Sequence, residues 1–142
     1  MMTIKTGYFG EVEVNEDEII RMEEGMLGFE LLKNYVLLKD EEIFLEWMQS
    51  TEEEVSFAVV DPFLIKKSYE FEIPEAVLQK LEIEDAADVA VRTVVIIPED
   101  LQKIRTNLQA PVIINMKGKK AMQILLDDAY PMRYEFYDKV GE

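Results

Sequence analysis

The chain has 142 residues, 49% of them hydrophobic, with thirty Asp and Glu against fifteen Lys and Arg and with neither histidine nor cysteine. That inventory lacks the side chain that titrates near neutrality and the thiolate used as nucleophile or metal ligand, which turns the reading from catalysis toward binding. A net charge of −15 repels nucleic acid and anionic membrane and favours encounters with basic proteins.

Taken in chain order, period-2 patterns dominate. Residues 11–14, Glu-Val-Glu-Val, alternate acid with apolar and predict a strand with one wet face. Residues 29–34 suit a single turn. Short apolar runs at 35–38, 44–48 and 55–60, each bounded by acid clusters or by Asp61-Pro62, predict three further strands. Residues 69–73, Tyr-Glu-Phe-Glu-Ile, alternate again and read as another half-buried strand. A helix is expected over 74–81, where Pro74 opens the first turn, Glu75 follows it, and Val77, Leu78 and Leu81 share a side. After a turn at 85–88, the β-branched run 89–97 predicts a strand that stops at Pro98, and 98–102 forms another turn. Residues 111–115 and 121–126 flank Lys117-Gly118-Lys119 as a hairpin. The expected architecture is an all-β, mostly antiparallel, barrel-like single domain over residues 1–142 with one or two short helices. Such a chain is long enough to bury a core without metal or disulfide staples.

Catalytic patterns are wanting. Ser50, Ser56 and Ser68 fall in strand or turn contexts and have no His to activate them. The acid clusters 40–42, 52–54 and 127–128 lack the alternating ligands and central glycine of a calcium loop and read as solvated turns. The six glycines never assemble into a phosphate cradle. A small flavin-binding barrel would need donors around a phosphate, and Arg92-Thr93 and Arg105-Thr106 are the nearest approach to them. Neither a cofactor nor a metal is expected. The first ten residues hold one Lys and no apolar run, and no stretch approaches the roughly 20 apolar residues of a membrane span, so the cytoplasm is expected.

Several non-catalytic motifs occur in a distinctive order: Thr6-Gly7-Tyr8-Phe9-Gly10-Glu11, Glu24-Gly25-Met26-Leu27-Gly28-Phe29-Glu30, Val59-Val60-Asp61-Pro62, Pro98-Glu99-Asp100, Asn107-Leu108-Gln109-Ala110-Pro111-Val112-Ile113-Ile114-Asn115, and Leu126-Asp127-Asp128-Ala129-Tyr130-Pro131. Together they resemble the FliW family of bacterial flagellar assembly factors, from about residue 3 to residue 133. The chain departs from the family at Met22-Glu23 and Met26-Leu27, where prolines are common. Their loss loosens a turn that keeps its glycines. It departs again at Tyr134, where a His is frequent. The resemblance implies a non-enzymatic protein, a monomer when free, that binds either of two partners. One is cytoplasmic flagellin. The other is the CsrA-type RNA-binding dimer, whose repression of flagellin mRNA it relieves allosterically, without contacting nucleic acid or membrane itself.

The residues agree in part. Acid is concentrated early, with −12 over residues 11–54 and −6 over 55–100, whereas 101–142 carries +2. An RNA-binding partner is expected to be basic, so the sign fits, although direct RNA mimicry is an alternative use of the same charge. Candidate partner contacts are Tyr8, Phe9, Asp61, Asn107, Gln109, Pro111, Asn115 and Tyr130. Tyr8 and Phe9 are either an exposed anchor or, preferably, a core plug beneath a turn. Asp61 is mainly a turn former. The amides of Asn107, Gln109 and Asn115 either satisfy buried backbone or recognise a partner. Pro111 cannot donate to a ladder and places its segment at a sheet edge or a bulge.

Overall fold

In the computed structural model, which describes residues 1–40, 42–127 and 129–139, seven strands close into a barrel around a buried methionine-rich core. The chain runs through β1 (Met2–Thr6), β2 (Gly10–Val14), β3 (Ile20–Arg21), β4 (Asn34–Lys39), β5 (Glu46–Ser50), β6 (Ser56–Val60), α1 (Glu75–Lys80), β7 (Val89–Ile96), β8 (Arg105–Thr106), β9 (Val112–Asn115), β10 (Lys120–Gln123) and β11 (Tyr134–Glu135). Strands β3 to β7 pair consecutively, β9 joins β7, β10 joins β9, and the single parallel contact of Lys120 with Arg21 closes the ring. The other pairs are antiparallel. The barrel expectation holds, and the one α-helix among the described residues falls within the predicted 74–81.

The apolar runs are continuous because the barrel wall is covered on both faces. Tyr35 joins the inner cluster with Ile20, Met22, Met48, Val59, Val112 and Ile114. Its neighbour Val36 points outward against Ile4 and Val14 of the β1–β2 hairpin. Likewise Ile113, between inward Val112 and Ile114, packs outward with Val91 under Val77 and Leu81 of the α1 region. A third cover, containing Phe136, lies over Ala58, Val60 and Val95. Each fully buried aliphatic side chain contributes about 1.5–3 kcal/mol relative to exposure, so these three covers decide where the wall is closed and where it stays bare.

β7 has eight residues and is long enough to serve two partners along one edge. Val89 to Arg92 pair with β9; Val95 and Ile96 then pair with Thr106 and Arg105 of β8, which pairs in turn with β11. The result is a three-stranded flap continuing from the barrel. Thr93 and Thr106 lock its root through a 2.7 Å hydroxyl contact, and the Thr106 hydroxyl also donates to the Val94 carbonyl.

Two expectations about strands fail. Residues 69–73 keep the alternating burial of a strand but join no ladder, because the Tyr130 hydroxyl takes both backbone groups of Glu70, accepting from its N–H at 3.1 Å and donating to its carbonyl at 2.8 Å. The segment beginning at Pro111 lies neither at an edge nor at a bulge. Pro111 is buried one residue before β9, where no ladder N–H is required, and β9 is paired on both sides. The hairpin about residues 117–119 forms as expected, although positive φ falls on Lys119 and not on Gly118. Gly118 is needed for a different reason: a Cβ there would lie 2.9 Å from the Asn115 amide nitrogen.

Candidate partner-binding surfaces

Pleating sends consecutive residues of β7 to opposite faces, and at its end the barrel's covers stop. Val94 packs toward the barrel interior and Val95 toward the outer cluster. Ile96 and Ile97 continue that alternation with nothing over either of them and are both exposed. The flap therefore has two apolar faces.

The first face opens at the barrel mouth. Its groove, about 390 Å³, is walled by Leu27, Phe57, Ile96 and Met132 and carries Arg105, Asn107 and Arg133. Leu27 is 63% and Met132 60% exposed. The Leu27 wall is held in place from several directions. Gln123 accepts the Leu27 N–H at 3.0 Å and donates to the Ala110 carbonyl, while Phe29 packs edge-on against Phe57 at 5.1 Å. Gly25 takes φ +67° where a Cβ would strike the Glu30 backbone at 2.7 Å, and Gly28 takes φ +87°. Glycine geometry thus holds this turn.

The second face lies on the barrel flank. Ile43, Phe44, Ile97, Leu101 and Tyr137 line a cleft of about 420 Å³ over Leu45, Ile104 and Phe136. Leu101 and Tyr137 are more than half exposed, whereas Phe136 is fully buried beneath them. Exposed Glu42, Asp100 and Asp138 adjoin these lining residues in the chain, against one exposed base, Lys103 beside Ile104.

The sequence candidates do not gather on one patch. Asn107 lines the mouth groove, and its side-chain oxygen accepts the Gln109 N–H at 3.0 Å. The Gln109 amide donates to the Asp127 carbonyl. Tyr130 lies edge-on to Tyr69, whose hydroxyl donates to the Leu108 carbonyl at 2.6 Å. Asn115 is 3% exposed; its amide donates to the carbonyls of Leu81 and Glu82 and its oxygen accepts from Lys117 and Gly118, so it ties the β9–β10 turn to α1. Asp61 caps the turn Pro62–Leu64 by accepting from Phe63.

Tyr8 is not a core plug. It is 53% exposed, stacks on Trp47 at 4.7 Å and donates a 2.6 Å hydrogen bond to Asp40, while Phe9 is half-buried. That hydrogen bond raises the Tyr8 pKa and lowers that of Asp40. Trp47 in turn packs against the cluster that contains Leu45 and Phe136.

The residues weighed for a flavin phosphate are occupied elsewhere or apart. Arg92 is paired with Glu46 at 2.7 Å, both side chains less than one-fifth exposed, and Thr93 and Thr106 bond each other. Among the described residues no group of three acids is placed to hold a metal, and no helix is long and apolar enough to cross a membrane. Sequence reasoning passed over Leu27, Ile96, Ile97, Leu101, Met132, Arg133 and Tyr137. A usable signal existed in Ile96-Ile97 before Pro98, two adjacent apolar residues where the strand outruns its covers.

A family model described as FliW protein matches residues 3–136. The flagellar assembly factor FliW of Caldicellulosiruptor saccharolyticus is 46% identical over 140 residues, covering 97% of this chain and 92% of its own length. That of Ruminiclostridium cellulolyticum is 40% identical over 143 residues, covering 98% and 97% respectively. A crystal structure of the flagellar assembly factor FliW superposes with a TM-score of 0.90 at 29% identity, over 95% of this chain and 96% of that one.

Proposed function

We propose, from the premise that this chain belongs to the FliW family of flagellar assembly factors, that it is a cytoplasmic, non-enzymatic partner switch. Acting as a single domain and a monomer when free, it binds either flagellin or a CsrA-type RNA-binding dimer. Binding of the dimer relieves repression of flagellin mRNA without covering the RNA-binding surface. The observation that carries this reading is the two-faced flap: Ile96 and Ile97 open two bare apolar surfaces of different charge within one residue of each other. The acid-flanked cleft suits a basic RNA-binding protein, whose approach the −15 net charge also accelerates.

Size-exclusion chromatography of the purified chain with purified flagellin and with purified CsrA-type dimer tests both partners. Two binary complexes are expected. Titrating RNA into the complex with the dimer then separates the mechanisms, because an allosteric antagonist permits a weakened ternary complex whereas an RNA mimic excludes RNA completely. Failure of the chain to co-elute with either protein overturns the reading.

A further inference from the structure

We propose that the mouth groove is a docking site for a protein segment that sets carboxylates among apolar side chains, and that in the two-partner reading, on which this inference rests, its occupant is flagellin and not the RNA-binding dimer. The chain has four arginines. Two are paired, Arg21 with Glu23 and Arg92 with Glu46. The other two, Arg105 and Arg133, both line this groove, and neither has a carboxylate partner among the described residues. In a chain with twice as many acids as bases, two unpaired arginines in one groove make a local exception to the field around them.

The flap sets their positions. Arg105 pairs with Ile96 on one side and Glu135 on the other, and continuing the register one step past Tyr134 and Thr106 brings Arg133 alongside Asn107. Two guanidinium groups thus flank an apolar floor formed by Ile96 and Met132. Guanidinium groups bind carboxylates bidentately, and exposed apolar side chains between them supply burial, so the complementary segment carries acids and aliphatic or aromatic residues together. Nucleic acid and anionic membrane also offer negative charge, but they are repelled by the acidic remainder of the chain. A basic RNA-binding dimer would meet the two arginines as like charges. Glu135, on the same side of the flap, opposes Arg105 and forms no ion pair with it within 4.0 Å. It therefore weakens the site's attraction for acids without occupying it.

The test is a titration of the full chain and three variants with flagellin and with the CsrA-type dimer, each variant checked for unchanged melting. Arg105→Glu combined with Arg133→Glu is expected to weaken flagellin binding by about tenfold or more while leaving the dimer within about twofold. Met132→Asp, at an exposed position outside the core, should lower flagellin affinity similarly and serves if the double variant folds poorly. Glu135→Gln should tighten flagellin binding by about twofold to fivefold. If flagellin binds the wild type and all three variants equally, the groove is not its site although the two-partner reading stands. If the double variant loses the dimer and keeps flagellin, the assignment is reversed and the proposal fails. If flagellin does not bind the wild type, both fall together.

Discussion

The mouth groove and the flank cleft take one wall each from consecutive residues, Ile96 at the end of β7 and Ile97 just beyond it, and are similar in size, yet they are built differently. The mouth is walled by a loop, residues 25–30, whose shape comes from two positive-φ glycines and the Gln123 amide, and it carries two arginines with no ion pair among the described residues. The flank is floored by Phe136, fully buried in a core cluster, and its charged neighbours are mostly acidic. One surface is held by backbone conformation and the other by packing. A regulator with two partners can in this way distinguish them by charge while using one strand to position both sites.

The largest effect that sharpens this contrast is expected from Phe136→Ala. Its side chain supports the flank cleft from within the core, so the substitution should destabilise the protein by about 3–5 kcal/mol, measured by urea unfolding. A loss below about 1 kcal/mol would mean that the flank floor is not part of the core.

Next in size is Arg92→Met. Alternation along β7 sets Arg92 on the interior side between Ala90 and Val94, leading toward the mouth, and removing it strands Glu46. Because both side chains keep some solvent contact, the expected cost is about 2–3 kcal/mol, below that of breaking a fully buried pair. The double substitution Arg92→Met with Glu46→Leu should recover much of it, and a thermodynamic cycle reads the coupling.

Leu101→Asp tests the flank from outside. It should weaken the CsrA-type dimer by about tenfold, leave flagellin unaffected and change stability by no more than about 0.5 kcal/mol. Equal losses for both partners would collapse the two faces into one site.

Salt should separate the faces more gently. Raising ionic strength from about 0.05 to about 0.5 M should slow association of the basic dimer several-fold, mainly through the on-rate, and affect flagellin less. Identical salt responses in stopped-flow mixing would remove the electrostatic half of the comparison.

The smallest effect should spare both faces. The Glu52 carboxylate accepts the backbone N–H groups of Lys33 and Asn34, which hold its pKa below the usual 4.5. The stability it contributes is therefore complete above the unfolded-state value and is lost as pH falls through the lower folded-state value. Glu52→Gln should flatten the decline in melting temperature between about pH 5 and pH 3 without altering either affinity at neutral pH. An unchanged acid slope would show that these hydrogen bonds do not stabilise the charged form.

Much of this molecule was legible in the chain. Local alternation, β-branched runs, the Pro74 helix start and the Lys117-Gly118-Lys119 turn report on backbone preference over a few residues, so six of the seven barrel strands, α1 and the β9–β10 hairpin were readable, whereas the two-residue β3 was not. The ordered motifs carried the family, which the match over residues 3–136 establishes. The acid bias and the +2 of residues 101–142 were also legible, and Arg105 and Arg133 come from that base-rich stretch. What tertiary structure alone decided was which apolar faces received a cover. Residues 69–73 have the pattern of a strand, but a hydroxyl from 60 positions away bonds their backbone in place of a ladder. Asn107 and Asn115 look alike at the ends of one motif, yet one lines a groove and the other is buried. Ile96 and Ile97 read as the last turns of a strand pattern, and only the ends of the hairpin, helix and C-terminal covers leave them bare. Burial depends on contacts between distant segments, which local patterns do not encode.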